Sequence, residues 1–374
     1  MLERAGHTVC TYKRSNWEAN DYAGVKRIQL AARVVWSEES RSDFTDLLRR
    51  EKPDIVHVHN TFMMISPSIF SACRKAGIPV VETLHNYRLY CPAGTFFRDG
   101  HICEECVNHG VWRGVARGCY RESRAATSVV ALMLSVHHQQ RTWVRDIDRF
   151  IALTEFARSK FLNAGLPADK VTVKPNFVDP DPGVERDRSA RYALFVGRLS
   201  PEKRVQTLLA AWTKLRPRIP LVVIGGGPQL AQLQEETVKK GLKEITFLGH
   251  LRRDEAVRAM HEARFLVFSS EWYENFPVTI VESFACGLPV LCSRIGAMQE
   301  IVDHGRTGLH FTSGDPADMA ATVQWAWDHP DEMRRMGDEA RREFEARYTA
   351  DRNYPILLDI YEKVMHQKLP VGQP

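Results

Sequence analysis

The sequence predicts an α/β protein built from two doubly wound, Rossmann-like parallel sheets. Three observations carry this. Short apolar, β-branched runs alternate with amphipathic stretches along most of the chain, the pattern of repeated βαβ units. The 374 residues exceed one ordinary domain of about 100–200 residues. A break fits at about residues 179–189, where Asp179-Pro-Asp-Pro-Gly183 and the charges after it suit neither strand nor helix.

Taken in order, the chain opens as the end of a helix, a stop at Gly6 and a strand over residues 7–10. A doubly wound domain should open with a strand and loop before such a helix, so the first βα unit is expected to be missing. Strand-like runs follow at residues 54–59, 78–84, 192–196, 221–224, 263–268 and 289–292. Residues 205–215 are helical in pattern, and 353–365 form an amphipathic tail helix. The expected domains are residues 1–178, with a Cys-rich insert at about 88–124, and residues 190–350. A last helix is expected over 351–370. Ligands of such sheets bind beyond the C-terminal ends of the strands.

Hydrophobic residues make up 44% and charged residues 26% of the chain, which suits a packed core. The net charge of +5 suits anionic ligands or an anionic lipid surface. Without a basic aromatic surface it does not suit a nucleic-acid partner. The longest candidate apolar run, residues 129–136, is too short to span a bilayer. No leader pattern is visible, so the expected location is cytoplasmic, or peripheral at the inner face of the membrane. Clustered cysteines there read as metal ligands or core fillers.

Two motifs carry chemistry. In Phe195-Val-Gly-Arg-Leu-Ser-Pro-Glu-Lys203 a strand ends, Gly197 permits a close turn, and Arg198 and Lys203 flank a helix start. Two cations there suit a diphosphate, although a solvated Arg and Lys in a loop would look the same. The second motif runs from Glu271 to Pro289. Asn275 reads as a cap, Pro277 as a first-turn residue and Gly287 as a stop, giving a helix of about ten residues. The amides of Phe276, Pro277's neighbour Val278, and Thr279 would make an anion site. Glu274 before the helix suits a sugar hydroxyl, and Glu282 lies within it. Ile224-Gly-Gly-Gly-Pro228 is not a dinucleotide fingerprint, because Leu230 stands where the third glycine belongs.

Together these motifs resemble the retaining glycosyltransferases of family four, bacterial-type enzymes of the GT-B fold. The resemblance extends from about Leu2 to Met365 and includes Ala285-Cys-Gly-Leu-Pro-Val290 and Glu300-Ile-Val-Asp-His-Gly-Arg-Thr-Gly308. It implies two Rossmann-like domains facing across a cleft, with the tail helix crossing back to the first. It implies a hexosyltransferase using a UDP-, GDP- or ADP-sugar and a saccharide or lipid-linked acceptor, with retention, in polysaccharide or glycoconjugate synthesis. Arg198 and Lys203 would hold the diphosphate beside Gly197, and Glu282 the ribose. Glu274 would contact the transferred sugar, and residues Phe276, Pro277, Val278 and Thr279 would help hold the β-phosphate. No metal is needed if Arg and Lys neutralise the leaving group. The alternative is a truncated or non-catalytic homologue acting as a scaffold.

Thr83-Leu-His-Asn-Tyr87 looks like the family's Thr-x-His loop, which makes His85 a catalytic candidate facing the donor sugar. His57 and His59 share one strand face and read equally as cleft residues or buried structural ones. Cys91, Cys103, Cys106 and Cys119 are candidate ligands of a structural zinc, with Cys103-Glu-Glu-Cys106 as the gripping pair. Four reduced cysteines in a loop is the plainer reading. Arg113, Arg117, Arg121 and Arg124 flank the apolar stretch 125–136. That suits either a membrane-surface contact or a core helix beside a solvated face.

Overall fold

The structure is a computed structural model that describes residues 1–22, 24, 26–185 and 191–368. It divides into two compact units. The first comprises Met1–Phe96, Cys103–Lys174 and Tyr354–Pro374, and the second Phe97–Ile102 and Pro175–Asn353.

The strands stand where β-branched and aromatic runs demand them. In chain order they are β1 (Val56–Val58), β2 (Val80–Thr83), β3 (Phe97–Arg98), β4 (His101–Ile102), β5 (Arg149–Ala152) and β6 (Val171–Val173). Then come β7 (Tyr192–Val196), β8 (Leu221–Ile224), β9 (Ile245–Gly249), β10 (Ala263–Phe268), β11 (Val290–Ser293) and β12 (Gly308–Phe311).

In the first unit β1-β2-β5-β6 form a parallel sheet in sequence order. Val58, Glu82 and Phe150 lie in register across it. Successive side chains alternate between faces. Val81 and Ile151 pack with Leu357, Ile360, Tyr361 and Val364 of the tail helix Ala350–Lys368. Glu82 therefore points to the opposite face. The strand expected over residues 7–10 is absent from the sheet. Gly6 does stop a helical turn, at φ +88° after Glu3–Ala5, but no neighbouring strand offers residues 7–10 a ladder.

The second unit has a six-stranded parallel sheet in the order β12-β11-β10-β7-β8-β9. The chain starts at β7, winds outward through β8 and β9, then returns to β10 on the other side. The strand order thus reverses between β7 and β10, the switch point at which open α/β sheets bind ligands. Phe195, Leu208, Leu209, Trp212, Phe265 and Val267 are fully or nearly fully buried in its core. The Trp212 indole donates to the Ile219 carbonyl at 2.9 Å.

The chain passes between units at Lys174–Pro175. Residues 179–185 of the expected linker are fastened to the second unit. Arg341 grips Asp181 with two hydrogen bonds of 2.7 Å, and His261 meets the Gly183 carbonyl at 3.1 Å. Residues 186–189 of that segment, and 369–370 of the expected last helix, lie outside the described residues.

Candidate functional site

Two loops leave the switch point of the second unit. One follows β7 and carries Gly197 to Arg204; the other follows β10 and carries Ser269 to Pro277. The first is seated on the glycine turn after β8. Leu199 N–H donates to the Gly226 carbonyl at 2.9 Å, and Gln229 N–H to the Leu199 carbonyl at 3.1 Å. A Cβ on Gly225 would stand 1.8 Å from the Gly197 carbonyl oxygen. Gly225 is needed because two backbones meet there.

The loops are stitched together by buried polar contacts. Glu271 accepts from Arg204 Nε and from the Thr207 hydroxyl, each at 2.7 Å, so both its oxygens are occupied. Its amide donates to the Glu202 carbonyl at 3.1 Å, and Ser269 Oγ donates to the Lys203 carbonyl at 2.8 Å. Burying a carboxylate is costly unless it is paired in this way.

That stitching brings Lys203 and Glu274, 71 positions apart in sequence, into an ion pair. Glu274 Oε1 also accepts from Ser270 Oγ at 2.7 Å and Trp272 Nε1 at 2.8 Å. The ammonium lies 5.0 Å from the Phe268 ring centre and 5.8 Å from that of Trp272. Both side chains are largely enclosed, at 16% and 7% exposure. Arg198 is exposed on the same turn and has no ion-pair partner among the described residues. The site thus offers one held cation, one accessible cation and one held carboxylate.

The helix after this loop is shorter than expected, spanning Val278–Ala285. Pro277 occupies the cap position, φ −76° and ψ 89°, and gives no side-chain hydrogen bond, while Asn275 is buried before it. Proline fixes the entry angle but has no group with which to cap. Phe276 is buried, Thr279 half-buried and Val278 exposed. The amides of Val278 and Thr279 open the helix, where orphan N–H groups gather. Glu282 is half-buried and 3.9 Å from Arg253. Burial raises its pKa, and Arg253 opposes that shift.

In the first unit, histidines gather at the ends of β1 and β2. His85 Nε2 meets His59 Nδ1 at 2.9 Å, and His57 and His59 stack with ring centres 4.4 Å apart. His57 bridges Tyr361 OH and Thr83 Oγ1 at 2.7 Å each, so it is a structural residue with both nitrogens engaged. Desolvation by the surrounding wall, then His59, pushes the His85 pKa down to about 4, although part of the ring reaches solvent. Burial, then His59 and Lys174, pushes His57 to about 3. These rings are neutral near pH 7, able to donate and accept but not to supply charge.

The four insert cysteines share one neighbourhood. Burial, then Cys91 with lesser contributions from Cys119 and Cys103, pushes the Cys106 thiol up to about 12. Among the described residues, however, no three His, Cys, Asp or Glu side chains are arranged to hold a metal ion. The zinc reading therefore rests on proximity and not on a ligand geometry. The stretch at 125–136 lies in the helix Arg124–Gln139, whose Val130, Ala131, Met133 and Leu134 are buried. It packs as a core helix. No helix among the described residues is long and apolar enough to cross a membrane.

Sequence reasoning missed Ser270, Trp272, Glu271, Arg204 and Thr207. The signal for Ser270 was present: a small polar residue just past a strand's C-terminal end, beside the second motif.

Comparison with known proteins bears on the family and the fold. Residues 1–182 match the family described as Glycosyltransferase Family 4, and residues 182–343 match Glycosyl transferases group 1. Glycogen synthase of Mycobacterium tuberculosis is 28% identical over 303 residues, covering 79% of this chain and 65% of the relative. The chain thus spans less than two thirds of that relative's length. The Anabaena protein HepE, solved in complex with UDP-glucose, superposes with a TM-score of 0.66 at 18% identity, covering 86% of this chain and 82% of its own. Sucrose-phosphate synthase of Thermosynechococcus elongatus gives a TM-score of 0.68 at 16% identity, covering 92% and 81%. With two Rossmann-like sheets and family matches running through residue 343, the chain belongs to the family-four glycosyltransferases of the GT-B fold.

Proposed function

We propose that this chain is a hexosyltransferase that moves a sugar from a nucleoside-diphosphate sugar to a saccharide or lipid-linked hydroxyl, retaining anomeric configuration. The observation that carries the reading is the meeting of Lys203 and Glu274 at the switch point, with Arg198 accessible beside them. In this reading Lys203 and Arg198 take the diphosphate as it departs with the bonding pair, stabilising charge that grows in the transition state. Glu274, held by Ser270 and Trp272, keeps Lys203 in place and presents its carboxylate to the sugar hydroxyls. Glu282 takes the ribose hydroxyls. His85 is the first unit's catalytic candidate, its neutral ring able to donate or accept a hydrogen bond. Two cations supply the neutralisation that a divalent metal gives in other transferases, so transfer should persist in chelator.

The test is thermal stability against UDP-, GDP- and ADP-sugars, followed by a transfer assay. HepE was solved with UDP-glucose, so UDP-sugars lead the panel. One nucleotide class should stabilise by about 2.7 kcal/mol at a hundredfold excess over its Kd, and Lys203→Ala and Glu282→Ala should abolish this. No stabilisation by any class, with no transfer, overturns the reading. A structural zinc in the insert is a separate proposal, supported by the nearness of Cys91, Cys103 and Cys119 to Cys106. Elemental analysis tests it: about one zinc per chain, lost in Cys106→Ser, is expected, and a zinc-free folded chain overturns it.

A further inference from the structure

The first unit contains a pocket of about 440 Å³, open mouth included, lined in part by His59, Asn60, Glu82, His85, Met133 and Trp143. Glu82 has no part in the chemistry described above. It sits on β2 between Val58 and Phe150, with Val80 and Leu84 before and after it on the same face, all four buried. It is itself only 7% exposed. Burial alone pushes its carboxyl up to about 8, so it is uncharged at neutral pH.

Glu82 Oε2 has no hydrogen-bond partner among the described residues, and neither has Nε1 of Trp143. Trp143 is 4% exposed and held edge-on to Phe70, with ring centres 6.1 Å apart. Buried polar atoms are nearly always bonded. Here two are unmet, of complementary kinds, and their residues line one pocket. An indole N–H can only donate, whereas a carboxylic acid donates and accepts. A hydroxyl group answers both, its oxygen accepting from Trp143 and its proton going to Glu82. An ammonium group has no lone pair for Trp143. Arg88, whose guanidinium donates to the Pro92 and Ala93 carbonyls, lines the same pocket, so charge alone does not turn a carboxylate away.

We propose that this pocket is a subsite for a hydroxyl-bearing ligand, read by the Glu82 carboxyl and the Trp143 indole. Assigning that hydroxyl to the acceptor sugar rests on the transfer reading above; the binding itself does not.

The test uses the full chain labelled with ¹⁵N, following the Trp143 indole cross-peak, assigned by its loss in Trp143→Phe. The probes are the methyl glycosides of glucose, galactose and mannose, with glucosamine as a cationic counterpart. At least one methyl glycoside should move the peak saturably. Glu82→Ala should weaken that binding roughly tenfold and Glu82→Gln less than about threefold, since the amide still donates and accepts. Glucosamine should bind at least roughly tenfold more weakly. The remaining tryptophan cross-peaks report whether each variant is folded. A peak that no glycoside moves, equal binding of glucosamine, or unchanged binding by Glu82→Ala each overturns the proposal. Lys203→Ala should leave this titration intact while losing nucleotide-sugar stabilisation, so the failure of either reading is seen separately.

Discussion

At the residue scale, Lys203 and Glu82 make opposite demands on a variant. Lys203→Ala should lower kcat/KM by roughly a hundredfold to a thousandfold, the cost of one oxyanion-stabilising donor. It should also cost some stability, because Glu274 keeps only Ser270 and Trp272 as side-chain donors. Steady-state kinetics beside a melting curve separates the two effects. Glu82 concerns pH. Its folded carboxyl stays protonated to about 8, whereas the unfolded one releases its proton near the usual 4.5. The unfolded chain thus binds fewer protons over that window, and stability falls as pH rises through it. His57 acts at the other end. Held neutral down to about 3 against an ordinary 6.5, it withdraws stability as pH falls below 6.5. Glu82→Gln should therefore flatten the alkaline side of a denaturation-midpoint profile between pH 4.5 and 8 and leave the acid side unchanged. A profile identical to wild type would show that Glu82 is not buried as described.

At the element scale, the glycine turn after β8 gives a paired prediction. Gly225→Ala forces a methyl onto the Gly197 carbonyl, whereas at Gly226 the nearest atom to an added Cβ is His250 Cβ at 4.0 Å. The first variant should lose more than about 2 kcal/mol and the second less than about 1 kcal/mol, measured by urea denaturation. Much of the fold was legible at this scale. The runs at residues 192–196, 221–224 and 263–268 are β-branched or aromatic, and each became a strand because such side chains fill a sheet buried on both faces. The run at residues 7–10 did not, because a strand needs a neighbour and the sequence cannot show whether one is there. The start of the helix after Pro277 was misjudged by proximity: Asn275 is a good capping residue, but it is buried ahead of the helix start. The candidate site was half legible. Arg198, Lys203 and Glu274 stand out as charges in loops, and Glu282 as one inside the helix that follows. That Lys203 pairs with Glu274 was not, because a contact across 71 positions comes from strand order and not from local pattern.

At the scale of the whole molecule, the strand order of the second unit places the chemistry where two windings diverge, and the first unit's four strands show no such divergence among the described residues. Nucleotide protection should accordingly appear in the second unit. Hydrogen exchange with bound nucleotide should slow the amides of residues 197–204 and 269–282, and uniform slowing throughout the chain would count against a donor site there. The tail helix carries a different lesson. It begins in the second unit and, from Tyr354 onward, belongs to the first, where Leu357, Ile360 and Val364 cover Val81 and Ile151. No single cut of the gene can therefore yield both halves whole. A fragment ending at Lys174 would leave that apolar sheet face bare and prone to self-association, and supplying residues 354–368 as a separate peptide should restore its solubility.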